Sequence, residues 1–110
     1  MPVTEIKKKR DLYFLLTRVS KVIVYHYVNF RNECIDFNKP YYEMSKKKEY
    51  DDICFSRVDI DKLADIGNIY DIEIGKTPIV LFFKDGKIVK KMEGNRPELL
   101  EDYVTDFSHL

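Results

Sequence analysis

The sequence predicts a three-layer α/β domain: a mixed sheet of four or five strands with helices on both faces. Three observations carry that expectation. Runs of strand character alternate with runs of helical periodicity along the first two thirds of the chain, and such alternation requires crossover connections between parallel strands. An Asp85-Gly86 dipeptide between two apolar runs signals a closing antiparallel hairpin. A last amphipathic segment then follows a proline, as a covering helix does.

The elements follow in order. Met1 to Ile6 is a short edge strand. Asp11 to Ser20 reads as a helix, with Leu12, Leu15, Leu16 and Val19 as its buried stripe. Lys21 to Val28 (KVIVYHYV) is rich in β-branched and aromatic residues without strict alternation, which suits a central strand buried on both faces. A polar turn at Asn29 to Glu33 leads into a long helix, Cys34 to Lys48, kinked at Pro40. Ile53 to Ile60 is a second inner strand, and Asp61 caps a short helix running to Tyr70 with Leu63, Ile66 and Ile69 on one side. Thr77-Pro78 opens the hairpin strands Ile79 to Phe83 and Ile88 to Met92. Arg96-Pro97-Glu98 starts a helix whose inner face is Leu99, Leu100, Tyr103, Val104 and Phe107.

Totals bound what this fold can do. At 110 residues the chain is of single-domain length and buries roughly two thirds of its unfolded surface. Hydrophobic residues at 45% against charged residues at 35% place it among folded domains. No interdomain linker or repeat breaks the sequence, so residues 1–110 form one domain. Lys plus Arg and Asp plus Glu each number 19, leaving no net positive field for nucleic acid or an anionic membrane. No stretch has signal-peptide or membrane-span character, which makes the cytoplasm the expected compartment. His26, His109 and two cysteines lack metal-ligand spacing, so neither metal nor other cofactor is expected.

Four local stretches together make the chain resemble the thioredoxin family from about Asp11 to Phe107. They are VIVYHYV leading through Phe30 into a turn that ends in Cys34; RVDID from Arg57 to Asp61; Tyr70-Asp71-Ile72 before Thr77-Pro78; and FFKDGKIVKKMEG from Phe82 to Gly94. The family's chemistry uses a tryptophan-cysteine-glycine-proline-cysteine turn, where the first thiolate, stabilised by a helix N-terminus, attacks a disulfide. The corresponding stretch here is Phe30-Arg31-Asn32-Glu33-Cys34. Arg31 stands in the place of the attacking cysteine, Cys34 in that of its partner, and Tyr25 in that of the family's buried acid. Two further departures flank the turn. Pro40 lies one position farther along than the family's helix proline, and the stretch Glu73 to Lys76 is about two residues longer.

The resemblance implies a cis peptide bond at Pro78 and a groove for an extended peptide segment, formed by Phe30, Arg31, Thr77, Pro78, Gly94 and Asn95. On these grounds the expected function is protein binding or redox association without disulfide reductase activity. The alternative is a monothiol role in which Cys34 forms mixed disulfides with glutathione or client proteins. The two cysteines are twenty residues apart, on opposite edges of the expected sheet, too far for a disulfide. Cys54 reads as a small core residue, and His26 as a hydrogen-bonded core residue rather than a base. The partner and the oligomeric state are left open.

Overall fold

A computed structural model describes residues 3–110. Five strands, β1 (Thr4–Ile6), β2 (Lys21–Tyr27), β3 (Cys54–Asp59), β4 (Ile79–Lys84) and β5 (Lys87–Glu93), form one sheet in the order β1-β3-β2-β4-β5. β1 and β2 run parallel to β3, while β4 runs antiparallel to both β2 and β5. The helices are α1 (Lys9–Arg18), α2 (Asn32–Ser45), α3 (Ala64–Ile69) and α4 (Pro97–Ser108). This is the expected mixed sheet of four or five strands with helices on both faces, and the number is five. Of the expected edge strand, Met1 and Pro2 lie outside the described residues.

The path from β1 to β2 crosses the sheet in one direction and the path from β2 to β3 returns in the other. Right-handed crossovers therefore put α1 and α2 on opposite faces. Side chains of β2 alternate accordingly. Tyr25 packs against Phe37 and Tyr41 of α2, whereas His26 faces Tyr70 at the end of α3. On β4, Phe82 meets Tyr103 and Phe107 of α4, and Phe83 meets Tyr70. All seven residues of β2 except Lys21 are buried, because two strands and two helical layers enclose it.

Element boundaries moved where local signals were weak. α1 begins at Lys9 and ends at Arg18, two residues earlier at each end than the apolar pattern indicates. Of the expected stripe only Leu12 is buried; Leu15, Leu16 and Val19 are half-buried, because the helix lies across the rim of the sheet. α2 spans Asn32–Ser45 rather than Cys34 to Lys48, so Cys34 is the third residue of its first turn. Pro40 lies inside it. Asp61 does not cap α3. The Asp59 carboxylate closes the turn before the helix, accepting from the backbone N–H of Asp61 at 3.0 Å and of Lys62 at 3.4 Å, and α3 starts only at Ala64, with Leu63 at its N-cap and no capping side chain.

The hairpin turn holds Asp85 and Gly86 at φ of 52° and 83°, the left-handed pair that a two-residue turn between twisted strands requires. Asp85 tolerates this through a side-chain bond from Ser20 Oγ at 3.0 Å. Only glycine adopts such a φ without a Cβ penalty. Gly86→Ala is expected to destabilise the domain by about 1 kcal/mol in urea unfolding; no change in the midpoint would show that the hairpin relaxes freely.

Candidate functional site

β2 ends at Tyr27, and the chain then turns through Asn29, exposed Phe30 and Arg31 into α2. Arg31 has the extended backbone of an N-cap residue but contributes no capping side chain. Its carbonyl accepts from the N–H of Cys34 at 3.0 Å and of Ile35 at 3.1 Å, closing the first turn. The side chain is then free to cross to another element. Its Nε donates to the carbonyl of Thr77 at 3.2 Å, and Nη2 lies 3.3 Å from Glu33 Oε2.

Thr77 precedes Pro78 through a cis peptide bond. Both residues are buried, Thr77 at 1% exposure. The stretch that lengthens the approach to Pro78 forms a 3-10 turn, Ile74–Lys76. The carbonyl of Ile74 accepts from Thr77 twice, from the backbone N–H at 3.2 Å and from Oγ1 at 2.6 Å. Both backbone polar groups of Thr77 are thus engaged within the chain. On the other side, the Pro78 carbonyl accepts from the N–H of Gly94 at 2.8 Å, where Gly94 has a φ of 91°. Asn95 follows it and is exposed. The structure therefore gathers Phe30, Arg31, Cys34, Thr77, Pro78 and Gly94 at one end of the sheet, with Arg31 lying over the Thr77 carbonyl.

Cys34 is 1% exposed. The carbonyl of Cys34 accepts a hydrogen bond from the Tyr25 hydroxyl at 2.7 Å, and the same hydroxyl lies 2.8 Å from the Asn38 side-chain amide. Tyr25 is a neutral anchor here: burial pushes its hydroxyl far above the ordinary tyrosine range. It holds the first turn of α2 to the central strand. Cys54 pairs with Val22 at the start of β2, at the opposite edge of the sheet, and is half-buried, which raises its thiol pKa. Both cysteines are free thiols.

His26 lies one strand behind this site, fully buried, with Nδ1 3.1 Å from the Ile79 carbonyl. Nε2 has no hydrogen-bond partner among the described residues. Burial lowers the pKa to about 4, so the ring is neutral. Two contributors were not singled out in the sequence. Asn38 bonds Tyr25, and buried Asp59 accepts from Asn29 Nδ2 at 3.2 Å, tying the loop after β3 to the loop that carries Phe30 and Arg31. The sequence signal for Asp59 is its place in the middle of RVDID.

A family model described as Thioredoxin matches residues 5–106. The chain is 34% identical over 93 residues to the thioredoxin of Mycoplasmoides gallisepticum, covering 84% of this chain and 89% of that protein. It is 40% identical over 62 residues to a thioredoxin H-type of Picea mariana, covering 56% of this chain and 46% of that one. Among solved structures, a Malassezia sympodialis thioredoxin superposes with a TM-score of 0.89 at 21% identity, over 96% of this chain and 90% of the other. A poplar thioredoxin h does so at 0.86 and 24%, over 96% of each chain. One expectation is corrected by these relatives. The chain was read as a binding or redox-associated module without disulfide reductase activity, or else as a monothiol partner of glutathione or clients; the proteins it matches along most of its length are thioredoxins.

Proposed function

The chain belongs to the thioredoxin family, and from that premise we propose that it acts as a thioredoxin, in thiol–disulfide exchange on protein substrates. The observation that supports this reading is the convergence of Cys34, in the first turn of α2, with the Thr77-Pro78 edge and Gly94 at one end of the sheet. A substrate segment lies across Phe30, Arg31 and Asn95, with Cys34 as the thiol of the site. The two electrons delivered to a substrate disulfide come from a dithiol donor.

Burial of Cys34 makes access to its sulfur the controlling step. Tyr25 and Asn38 hold the turn closed from below, and Arg31 covers it from the Thr77 side. The reading is tested by insulin disulfide reduction with dithiothreitol as donor. Wild type is expected to shorten the lag before turbidity, and Cys34→Ser to return it to the rate without protein, whereas Cys54→Ser keeps the wild-type rate. A wild-type rate equal to that of Cys34→Ser would overturn the proposal.

A further inference from the structure

Thr77 offers a docking segment little, because its N–H donates to Ile74 and its carbonyl accepts from Arg31. What the site presents outward is a guanidinium within an apolar rim. Phe30 precedes Arg31 and is 66% exposed, Ile35 follows Cys34 at 51%, and Ile74 of the Thr77 turn is 40% exposed. Resting on the thioredoxin reading above, we propose that Arg31 is a specificity-determining residue that makes protein segments carrying a carboxylate beside apolar side chains the preferred substrates of this site.

The geometry supplies the argument. Among the described residues, Nε holds Arg31 to the Thr77 carbonyl, leaving the terminal nitrogens for contacts at the helix mouth. Nη2 meets the carboxylate of Glu33 at 3.3 Å, so a carboxylate already fits at this position. Glu33 reaches it from the first turn of α2 with an exposed side chain, while Arg31 is half-buried; a pair open to water on the carboxylate side is weak and readily exchanged. An incoming carboxylate that takes both terminal nitrogens makes the stronger, two-point contact that a guanidinium favours. A lysine at the same place meets like charge. Neutral overall charge, 19 cations against 19 anions, gives the chain no long-range field, so the selection is local to Arg31 and is screened within about 8 Å at physiological salt. The rim residues Phe30, Ile35 and Ile74 ask for apolar neighbours on either side of the acid.

The test uses three synthetic apolar nonapeptides, identical except for Glu, Gln or Lys at the centre, titrated into the 15N-labelled full chain. The amides of 30–35 and 74–78 report on the site. The Glu peptide is expected to bind about fivefold more tightly than the Gln peptide, the ratio of a modest ion pair, and the Lys peptide more weakly than either. Arg31→Gln, which keeps hydrogen-bonding capacity without charge, is expected to bring the Glu and Gln peptides together, and Arg31→Lys to restore only part of the difference. Glu33→Gln removes the internal competitor and is expected to strengthen the Glu peptide. Equal binding of the Glu and Gln peptides, or a preference that survives Arg31→Gln, overturns the inference while the insulin assay decides the thioredoxin reading independently. If none of the three peptides shifts these amides, the inference falls as well.

Discussion

Tyr41→Ala is expected to destabilise the domain by about 4 kcal/mol, the range for deleting a large buried aromatic ring. Tyr41 is fully buried on α2, with its ring centroid 5.0 Å from Tyr25, 6.0 Å from Phe37 and 5.7 Å from Phe55. Its hydroxyl donates to the Ser56 carbonyl at 2.7 Å and lies 3.2 Å from that of Ile23, so it bridges two adjacent strands. Tyr41→Phe keeps the ring and removes only this bridge, for an expected loss of about 1 kcal/mol. Urea unfolding of the two variants separates packing from hydrogen bonding. A Tyr41→Ala loss no greater than that of Tyr41→Phe would mean that the ring contributes nothing. The consequence reaches the site, since the helix that Tyr41 docks also carries Cys34; alkylation of Cys34 in native Tyr41→Ala is expected to be faster than in wild type.

Lowering the pH from 7.5 to 5.0 is expected to remove about 2 kcal/mol of stability through His26 alone. In the folded chain the His26 pKa is depressed to about 4, because burial disfavours the imidazolium and only the backbone of Ile79 and Val24 opposes it. In the unfolded chain it returns to about 6.5. Between those values the unfolded state takes up a proton that the folded state refuses, so stability falls as pH drops through 6.5 and the loss stops growing below 4. Among the described residues no acidic side chain pairs with the ring. His26→Phe, which retains an aromatic body against Tyr70, is expected to flatten this part of the profile. The same slope in wild type and His26→Phe would assign it to other groups.

Much of the site was legible in sequence, though not how its parts are joined. Phe30, Arg31, Cys34, Thr77, Pro78, Gly94 and Asn95 were all named from motif positions, and all but the exposed Asn95 are tied into one end of the sheet by direct bonds or chain adjacency. The extra length at Glu73 to Lys76 was visible too. Its outcome, a 3-10 turn whose Ile74 carbonyl engages Thr77, was not, because a two-residue extension can fold in several ways and the hydrogen bond that selects one is made only on packing. Asp61 illustrates the same limit at short range. A capping residue is favoured there by residue type, but the buried carboxylate of Asp59 draws the backbone N–H groups of Asp61 and Lys62 into a turn, so the helix begins later, at Ala64, without a side-chain cap.

Sequence by itself determined the order of strands and helices, the Asp85-Gly86 hairpin and the burial of the central strand. Those features rest on periodicity, turn chemistry and residue identity, which act over a few neighbouring positions. Tertiary structure decided that Arg31 lies over Thr77, 46 residues away, that Thr77 and Pro78 are covered, and that Tyr25 and Asn38 hold the Cys34 turn. Side-chain hydrogen bonds between distant segments leave no periodic trace in the chain. They exist only once the hydrophobic layers have brought β2, α2 and β4 together, and it is they that set which groups the site shows to a partner.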